Sequence, residues 1–322
     1  MWSYQLVAPY LFERTTVAEY APESLGDGQV LLRFLAAGIC GSDMPGFRGT
    51  QGRLPADTGA STAGIVGFPI HEIVGEVISS RHPEHRRGDR VVGWASGFDG
   101  LREQVIADGA GLVSYRAALA PHLAIGLQPL ACVLYAIEQL PDLTGKRVAV
   151  IGLGSIGLLF AYVAKVAGAQ HVTGVDPIDR SAIATSFGVD TAVRATSDRW
   201  IRHLDPADRP DVVIEAVGHQ VATLGHAVEA AAVGGTVFYF GVPDDDWYPI
   251  SMRTMLRNNL TLKSGVTLQR RRVLQDADVF AAEHPELLGN YVTHTFGSED
   301  AQAAFELASR PTAGRVKIVI AA

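Results

Sequence analysis

The chain has 322 residues, a length that favours about two domains. Hydrophobic residues make up 48% of it and charged residues 19%, which is typical of globular proteins and argues against a disordered chain. The net charge is −7. Nothing in this acidic balance suggests a basic face that binds nucleic acid, and no run of Lys and Arg suggests an anionic membrane as a partner.

The chain shows no sign of export or membrane insertion. No stretch of about 20 apolar residues predicts a membrane-spanning helix. The first 14 residues also lack the basic start and apolar run of a secretory signal. We therefore expect a cytoplasmic protein whose two cysteines, Cys40 and Cys132, are free thiols. Two cysteines cannot form a four-cysteine structural zinc site.

The predicted elements change in character along the chain. Up to about residue 115, short apolar runs separated by turn residues predict strands, at 30–37, 70–79 and 89–94. A helical spacing follows at 130–140. Strands and helices then alternate, which predicts a parallel sheet covered on both faces. The strands are predicted at 147–151, 171–175, 211–216 and 236–240, with a helix at 156–167. The tail predicts helices near 271–282 and 300–309 and a strand at 315–320.

A glycine-rich turn joins the strand at 147–151 to the next helix. It has the pattern G-x-G-x-x-G and reads Gly152-Leu153-Gly154-Ser155-Ile156-Gly157. Gly152 permits the tight turn, Gly154 leaves room for a pyrophosphate, and Gly157 lets helix and strand pack closely. The phosphates would lie at the helix N-terminus. This context predicts a dinucleotide site.

An acidic residue indicates which dinucleotide binds. Asp176 ends the next predicted strand, 19 residues after Gly157 (176 − 157). A carboxylate there accepts hydrogen bonds from ribose hydroxyls and repels the extra phosphate of NADP, so we predict NAD. Arg180 is near enough to bind a phosphate and complicates that choice. The alternative is a turn without a ligand, in which Asp176 caps a helix.

Two further segments carry residues that suit zinc. Cys40 and Asp43 lie in one, and His71 and Glu72 in the other. A thiolate, an imidazole and carboxylates are typical zinc ligands. Taken separately, Cys40 is equally consistent with a small core residue and His71 with a buried, hydrogen-bonded histidine.

Together with the glycine-rich turn, these segments resemble the medium-chain dehydrogenase/reductase superfamily, in its zinc-dependent alcohol and polyol dehydrogenase type. The resemblance covers nearly the whole chain and includes residues 88–91, 211–218, 240–243 and 292–294. It implies a GroES-like catalytic domain, formed by residues 1–128 and 268–322, and a Rossmann NAD-binding domain at 129–267. It also implies one catalytic zinc and no structural zinc, because the segment after Val92 continues directly to Val105 without the cysteine-rich lobe.

The resemblance implies a role for each residue of the metal site. Cys40 and His71 match the first two zinc ligands, and Glu72 matches the acid that can be the third ligand in polyol dehydrogenases. Asp43 matches the acid that orients the ligating histidine. Ser42 matches the hydroxyl that passes on the substrate proton. Gly218, Gly241 and Val242 match residues of turns that contact the cofactor in the family.

The chain departs from the family pattern near the metal. Gln128 stands where the family has Cys or Glu; an amide is a poor zinc ligand but can bind a metal-bound water. Pro45 replaces a relay histidine. Adjacent strand residues point to opposite faces, so Glu72 needs a local twist to share a metal with His71. The alternative for Glu72 is an ion pair with Arg315.

The resemblance implies hydride transfer between NAD(H) and an alcohol or ketone, with zinc as the Lewis acid. Ser42, Arg48 and Trp94 would border the substrate, and the loop at 48–67 could shape its pocket. A polyol, sugar, cyclitol or other secondary alcohol is expected, although Arg48 and Arg53 leave an anionic substrate open. The alternatives are a zinc-free quinone or enoyl reductase and a non-catalytic NAD-binding protein.

The family is commonly dimeric or tetrameric, so we expect a homo-oligomer. The strand predicted at 236–240 is a candidate for an edge strand that pairs across a two-fold axis.

Overall fold

A computed structural model describes residues 1–49 and 65–322. Arg53 and most of the predicted loop at 48–67 lie outside the described residues. The strands are β1 Trp2–Ala8, β2 Leu11–Thr16, β3 Gln29–Ile39, β4 Glu72–Ser80, β5 Arg90–Trp94, β6 Gln104–Asp108, β7 Leu112–Ser114, β8 Arg147–Ile151, β9 His171–Asp176, β10 Thr191–Arg194, β11 Val212–Glu215, β12 Thr236–Tyr239, β13 Thr261–Ser264, β14 Val292–Gly297 and β15 Lys317–Ala321. The helices are α1 Met44–Phe47, α2 Pro121–Ala124, α3 Leu127–Ile137, α4 Ser155–Val166, α5 Ser181–Ala184, α6 Ser197–Arg202, α7 Ala222–Ala230, α8 Met252–Arg257, α9 Arg270–Glu283, α10 Glu286–Tyr291 and α11 Ala301–Ser309.

The chain divides into two compact units. The first unit comprises Met1–Ala131, Gln269–Pro311 and Lys317–Ala322, and the second comprises Cys132–Leu268 and Thr312–Val316. The tail therefore returns to the first unit after a short passage in the second.

The second unit is built on a parallel sheet in the order β10-β9-β8-β11-β12-β13. Counted from β8, this is the order 3-2-1-4-5-6 of the doubly wound nucleotide-binding fold. Helix α4 packs against β8 and β9, and α7 packs against β11 and β12. Val150 faces α4, whereas Ala149 and Ile151 join the core under α6 and α7. The predicted α/β class is confirmed.

The prediction that residues 236–240 form an edge strand is wrong. The predicted strand at 236–240 is β12, which lies between β11 and β13, and β13 forms the edge. The sequence of β13 is Thr-Leu-Lys-Ser and most of it is exposed, so it has no apolar run that would have revealed a strand.

The first unit is mainly β, as predicted. Its sheet has the order β14-β15-β3-β4-β5-β7, and the long strand β3 also pairs with β6. Strand β3 has 11 residues and is long enough to pair with three strands: residues 29–33 pair with β6, residues 36–39 pair with β15, and β4 pairs along its length. In the core of the first unit, the rings of Phe12, Phe47 and Phe305 pack together, with centroids 4.9–5.2 Å apart.

No helix among the described residues combines the length and the apolar character needed to cross a lipid bilayer.

Candidate active site

The predicted metal ligands converge in the first unit. Cys40 directly follows β3, and the antiparallel pairing of Gly38 with Glu72 brings β4 alongside. The ligand atoms of Cys40, His71 and Glu72 all lie within 4.8 Å of one another. Ligand atoms around a tetrahedral zinc are about 3.5 Å apart, so small side-chain movements suffice to close this set on a metal. The donor set fits zinc.

The predicted twist between His71 and Glu72 is not needed, because strand β4 starts between these two residues. Strand β4 begins at Glu72, so His71 precedes it and is not bound by the alternation of a strand. Both side chains can therefore reach the same side of the sheet.

Asp43 orients His71. Its Oδ1 lies 2.7 Å from Nδ1 of His71, and its Oδ2 accepts a hydrogen bond of 2.8 Å from the Cys40 N–H. Burial alone would lower the pKa of His71, but the Asp43 carboxylate and Cys40 raise it well above its usual value. Because Nδ1 is held by Asp43, Nε2 is the nitrogen left for a metal.

Glu72 is paired with Lys317, a partner that differs from Arg315, the alternative considered from the sequence. The Lys317 ammonium lies 2.5 Å from Oε2 of Glu72, and both side chains are only 1% exposed. Lys317 lies on β15, next to β3, whereas Arg315 precedes the strand and belongs to the second unit. Burial lowers the pKa of Lys317, but the charge of Glu72 outweighs this and raises it above the usual value.

A glycine makes room for this buried pair. A Cβ atom at Gly38 would lie 2.9 Å from Cε of Lys317 and would overlap with Oε2 of Glu72. Only a residue without a side chain allows the carboxylate and the ammonium to meet behind β3.

The other residues predicted for the metal site have defined positions. Ser42 is half-buried in a single 3₁₀ turn between Cys40 and α1, and Pro45 lies on α1. Gln128 is 3% exposed in the first turn of α3. The roles of Ser42 and Gln128 stay predictions.

Of the predicted substrate residues, Trp94 lies on the strand next to Glu72. It ends β5 directly opposite Glu72, and its ring is covered by Arg270, whose guanidinium carbon is 5.0 Å from the ring centroid. Arg48 is exposed at the end of α1.

Sequence reasoning missed Phe98. Its ring centroid lies 5.6 Å from that of His71, and its backbone has a φ of 54°. Phe98 belongs to the short segment that connects β5 to β6. No periodicity or motif marks such a segment, so only the structure reveals this contact.

The glycine-rich turn has the predicted form. Gly152 has a φ of 92°, a conformation that favours glycine. A Cβ at Gly157 would overlap with the carbonyl group of Gly152, so this glycine permits the close helix–strand contact. A Cβ at Gly154 would meet no atom within 4 Å. The space above Gly154 at the N-terminus of α4 can therefore receive a phosphate.

Asp176 is held by the loops around it. Its Oδ2 accepts a hydrogen bond from Leu153 N–H and its Oδ1 one from Ile178 N–H, both 2.8 Å long. The Arg180 guanidinium is buried and donates to the carbonyls of Thr312 and Arg315. Arg180 thus ties the returning tail to the second unit.

The remaining predicted cofactor residues form two adjoining turns. Gly218 follows β11, and Gly241 and Val242 follow β12, so these residues meet at the carboxyl edge of the parallel sheet. Ligands of open parallel sheets bind at this edge.

A doubly wound sheet, a mainly β unit and a Cys–His–Glu cluster that fits zinc are together consistent with a zinc-dependent dehydrogenase. The family described as alcohol dehydrogenase GroES-like domain matches residues 26–114, and the family described as zinc-binding dehydrogenase matches residues 155–282. The chain belongs to the medium-chain dehydrogenase/reductase superfamily, in its zinc-dependent alcohol and polyol dehydrogenase type. The predicted family, the GroES-like and Rossmann classes and the oxidoreductase class are confirmed.

Full-length relatives agree with this assignment. L-threonine 3-dehydrogenase of Bacillus velezensis is 24% identical, over 94% of this chain and 95% of its own. D-altritol 5-dehydrogenase of Agrobacterium fabrum is 27% identical, over 87% of this chain and 89% of its own. Among solved structures, the alcohol dehydrogenase TADH from Thermus sp. ATN1 matches with a TM-score of 0.79 at 24% identity, covering 100% of this chain and 99% of that one.

Proposed function

We propose that the protein transfers a hydride between NAD(H) and an alcohol or ketone at one catalytic zinc. The observation that carries this proposal is the convergence of Cys40, His71 and Glu72, with Asp43 behind the imidazole. We propose a catalytic domain at residues 1–128 and 268–322, most of which lies in the first unit, and a nucleotide domain at residues 129–267, most of which lies in the second unit. A structural zinc is not expected, because the chain has only two cysteines.

Each residue of the proposed site would have a separate role. Cys40 and His71 would hold the zinc, with Glu72 as the third ligand and Gln128 reached through water. When bound, zinc supplies Lewis-acid chemistry that lowers the pKa of an alcohol. Asp43 keeps the imidazole in one orientation, and Ser42 takes the hydroxyl proton towards the cofactor ribose and solvent.

The substrate class rests on the metal site and on a relative. The Cys–His–Glu set resembles polyol enzymes, and one relative, D-altritol 5-dehydrogenase, is named for a polyol. We propose a polyol, sugar, cyclitol or other secondary alcohol, bordered by Arg48 and Trp94. Arg270, stacked on Trp94, adds a positive charge at this border, so phosphorylated and carboxylated alcohols belong in the substrate panel.

A substrate screen tests the proposal. Purified protein with one equivalent of zinc is assayed for NAD reduction over polyols, sugars, cyclitols and secondary alcohols, with and without a chelator. Turnover that the chelator abolishes is expected. Quinone or enoyl reduction that survives the chelator would favour a zinc-free reductase. Bound zinc and NAD without turnover across the panel would favour a non-catalytic NAD-binding protein.

Asp176 is expected to make the enzyme prefer NAD. Replacing Asp176 by Ala removes an acceptor for the ribose hydroxyls and two loop hydrogen bonds. The NAD-to-NADP ratio of kcat/KM should fall by about tenfold or more, since a hydrogen bond to a charged group contributes about 1.5–3 kcal/mol. Asp179→Ala, which alters a nearby exposed carboxylate that binds Ser181, should leave the ratio unchanged. A wild-type preference for NADP would contradict the assignment.

We also propose a homo-oligomer that pairs through β13. An edge strand has unpaired N–H and C=O groups, and Val266 and Leu268, which follow β13, are 72% and 76% exposed. A second copy placed by a two-fold axis would cover both features.

Light scattering should therefore give two or four times the chain mass of 34.3 kDa. Val266→Asp should shift the mass towards one chain, because it places a charge in the apolar part of the interface. Val279→Asp, at an exposed position on α9, should not. A monomeric wild-type protein would refute the pairing.

A further inference from the structure

Glu215 is a fully buried carboxylate at the carboxyl edge of the parallel sheet. It is the last residue of β11 and 0% exposed. It lies in the segment at 211–218 that carries part of the family resemblance, and the proposed function gives it no role. Because β11 neighbours β8 on the side opposite β9, Glu215 lies where the strand order reverses. Dinucleotides bind across this point in doubly wound sheets.

Glu215 holds the turns that follow both β11 and β12. Its Oε1 accepts hydrogen bonds from the Val217 and Gly218 N–H groups, at 3.1 and 3.4 Å. Its main-chain carbonyl accepts from the Phe240 and Gly241 N–H groups, at 2.9 and 3.2 Å. One residue therefore fixes the backbone of two turns that are about 25 residues apart in the chain.

The two turns are packed tightly against each other. His219 N–H donates to the Val242 carbonyl at 2.8 Å, and a Cβ at Gly218 would lie 2.6 Å from the Val242 nitrogen. A Cβ at Gly241 would lie 2.5 Å from Oε2 of Glu215. The carboxylate is thus directly against Gly241, and a shift of its side chain would move both turns.

This arrangement carries an energetic cost. Oε2 has no hydrogen bond of normal geometry among the described residues. Burial raises the pKa of the Glu215 carboxyl, and the Thr223 hydroxyl and the N–H groups of the turns offset this only in part. An apolar residue would fill the same space without this penalty. A buried acid that is kept despite its cost indicates that the geometry of the turns matters for function.

The strand order indicates which part of the cofactor these turns meet. Asp176 ends β9 and would bind the adenosine ribose, and the turn after β8 would bind the pyrophosphate. The other half of the dinucleotide must then pass over the ends of β11 and β12. We propose that Glu215 is a positioning residue that sets the two turns receiving the nicotinamide half of NAD(H), an inference that rests on the proposed NAD-dependent function.

The test compares ligands that fill one or both halves of this site. Binding of NADH and of AMP is measured by calorimetry on zinc-loaded protein, with kcat and KM for NAD and the melting temperature of each variant. Glu215→Leu removes the acceptor, Glu215→Asp shortens its reach, and Glu215→Gln keeps an acceptor oxygen. Val228→Ala is the control, because Val228 is a fully buried apolar residue of α7 whose side chain cannot take part in the hydrogen bonds to Glu215.

Both Glu215→Leu and Glu215→Asp should weaken NADH binding by about tenfold or more and lower kcat, while AMP binding stays within about twofold. Glu215→Gln should restore NADH binding to within about threefold. If Glu215→Leu does not fold, Glu215→Asp decides. Equal losses of NADH and AMP binding, or a lower melting temperature alone as in Val228→Ala, would overturn the role of Glu215. A wild-type protein that binds no NADH would instead contradict the proposed function.

Discussion

Replacing Cys40 by Ser is expected to release the zinc and to lower kcat/KM by about a thousandfold or more. The thiolate is the strongest zinc donor among the three converging side chains, and a hydroxyl does not replace it. Loss of Lewis-acid stabilisation removes several kcal/mol from the transition state, and each 1.36 kcal/mol corresponds to a tenfold change in rate. Metal analysis of the purified variant and steady-state kinetics on the substrate found in the screen provide the measurement.

The chain contains its own control for this experiment. Cys132, the only other cysteine, belongs to the second unit and stands outside the metal cluster. Cys132→Ser should keep one equivalent of zinc and most of the activity. A Cys40→Ser protein that retains stoichiometric zinc, or zinc-free protein with undiminished activity, would contradict the proposed metal centre.

Replacing Lys317 by Met is expected to lower the free energy of unfolding of the zinc-free protein by about 3–5 kcal/mol. The change leaves the Glu72 carboxylate, 1% exposed, without its charged partner, and an unpaired buried charge is costly. Denaturant unfolding of protein stripped with a chelator measures this effect.

Two comparisons separate charge loss from poor packing. The double variant Glu72→Met with Lys317→Met removes both charges and should recover at least half of the lost stability, because two apolar side chains of similar volume can replace a buried pair. Zinc should also reduce the loss of unfolding free energy in Lys317→Met, because a bound cation near Glu72 would compensate the charge of the carboxylate. A double variant that is less stable than Lys317→Met would show that packing, and not the unpaired charge, causes the effect.

Several parts of the fold were predictable because their signals are local. The strand at Arg147–Ile151 has the predicted bounds, since a continuous apolar run followed by a glycine turn is specific for a buried parallel strand. Strand β13 was not predictable, because four mostly exposed and polar residues give no periodicity. Its position at the edge follows only from the parallel pairing with β12.

In the candidate site, too, some features were predictable from local sequence and others depend on the tertiary structure. The residue types of the metal cluster were recognisable, because Cys, His and Glu near one another in a resembling sequence suggest zinc. Their mutual distance depends on the pairing of β3 with β4, which joins segments separated by the undescribed residues. The contact of Phe98 with His71 depends on the path of a short connecting segment.

By itself, the sequence determined the family, the two fold classes, the glycine-rich turn and the identity of the candidate ligands, because these are encoded in residue types at short spacings. Only the tertiary structure decided which side chains are partners. Lys317 meets Glu72 across 245 positions (317 − 72), because β15 lies beside β3 and Gly38 leaves the space between them. Likewise, Glu215 supports two turns because parallel strands place their carboxyl ends at one edge, a proximity that no local pattern encodes.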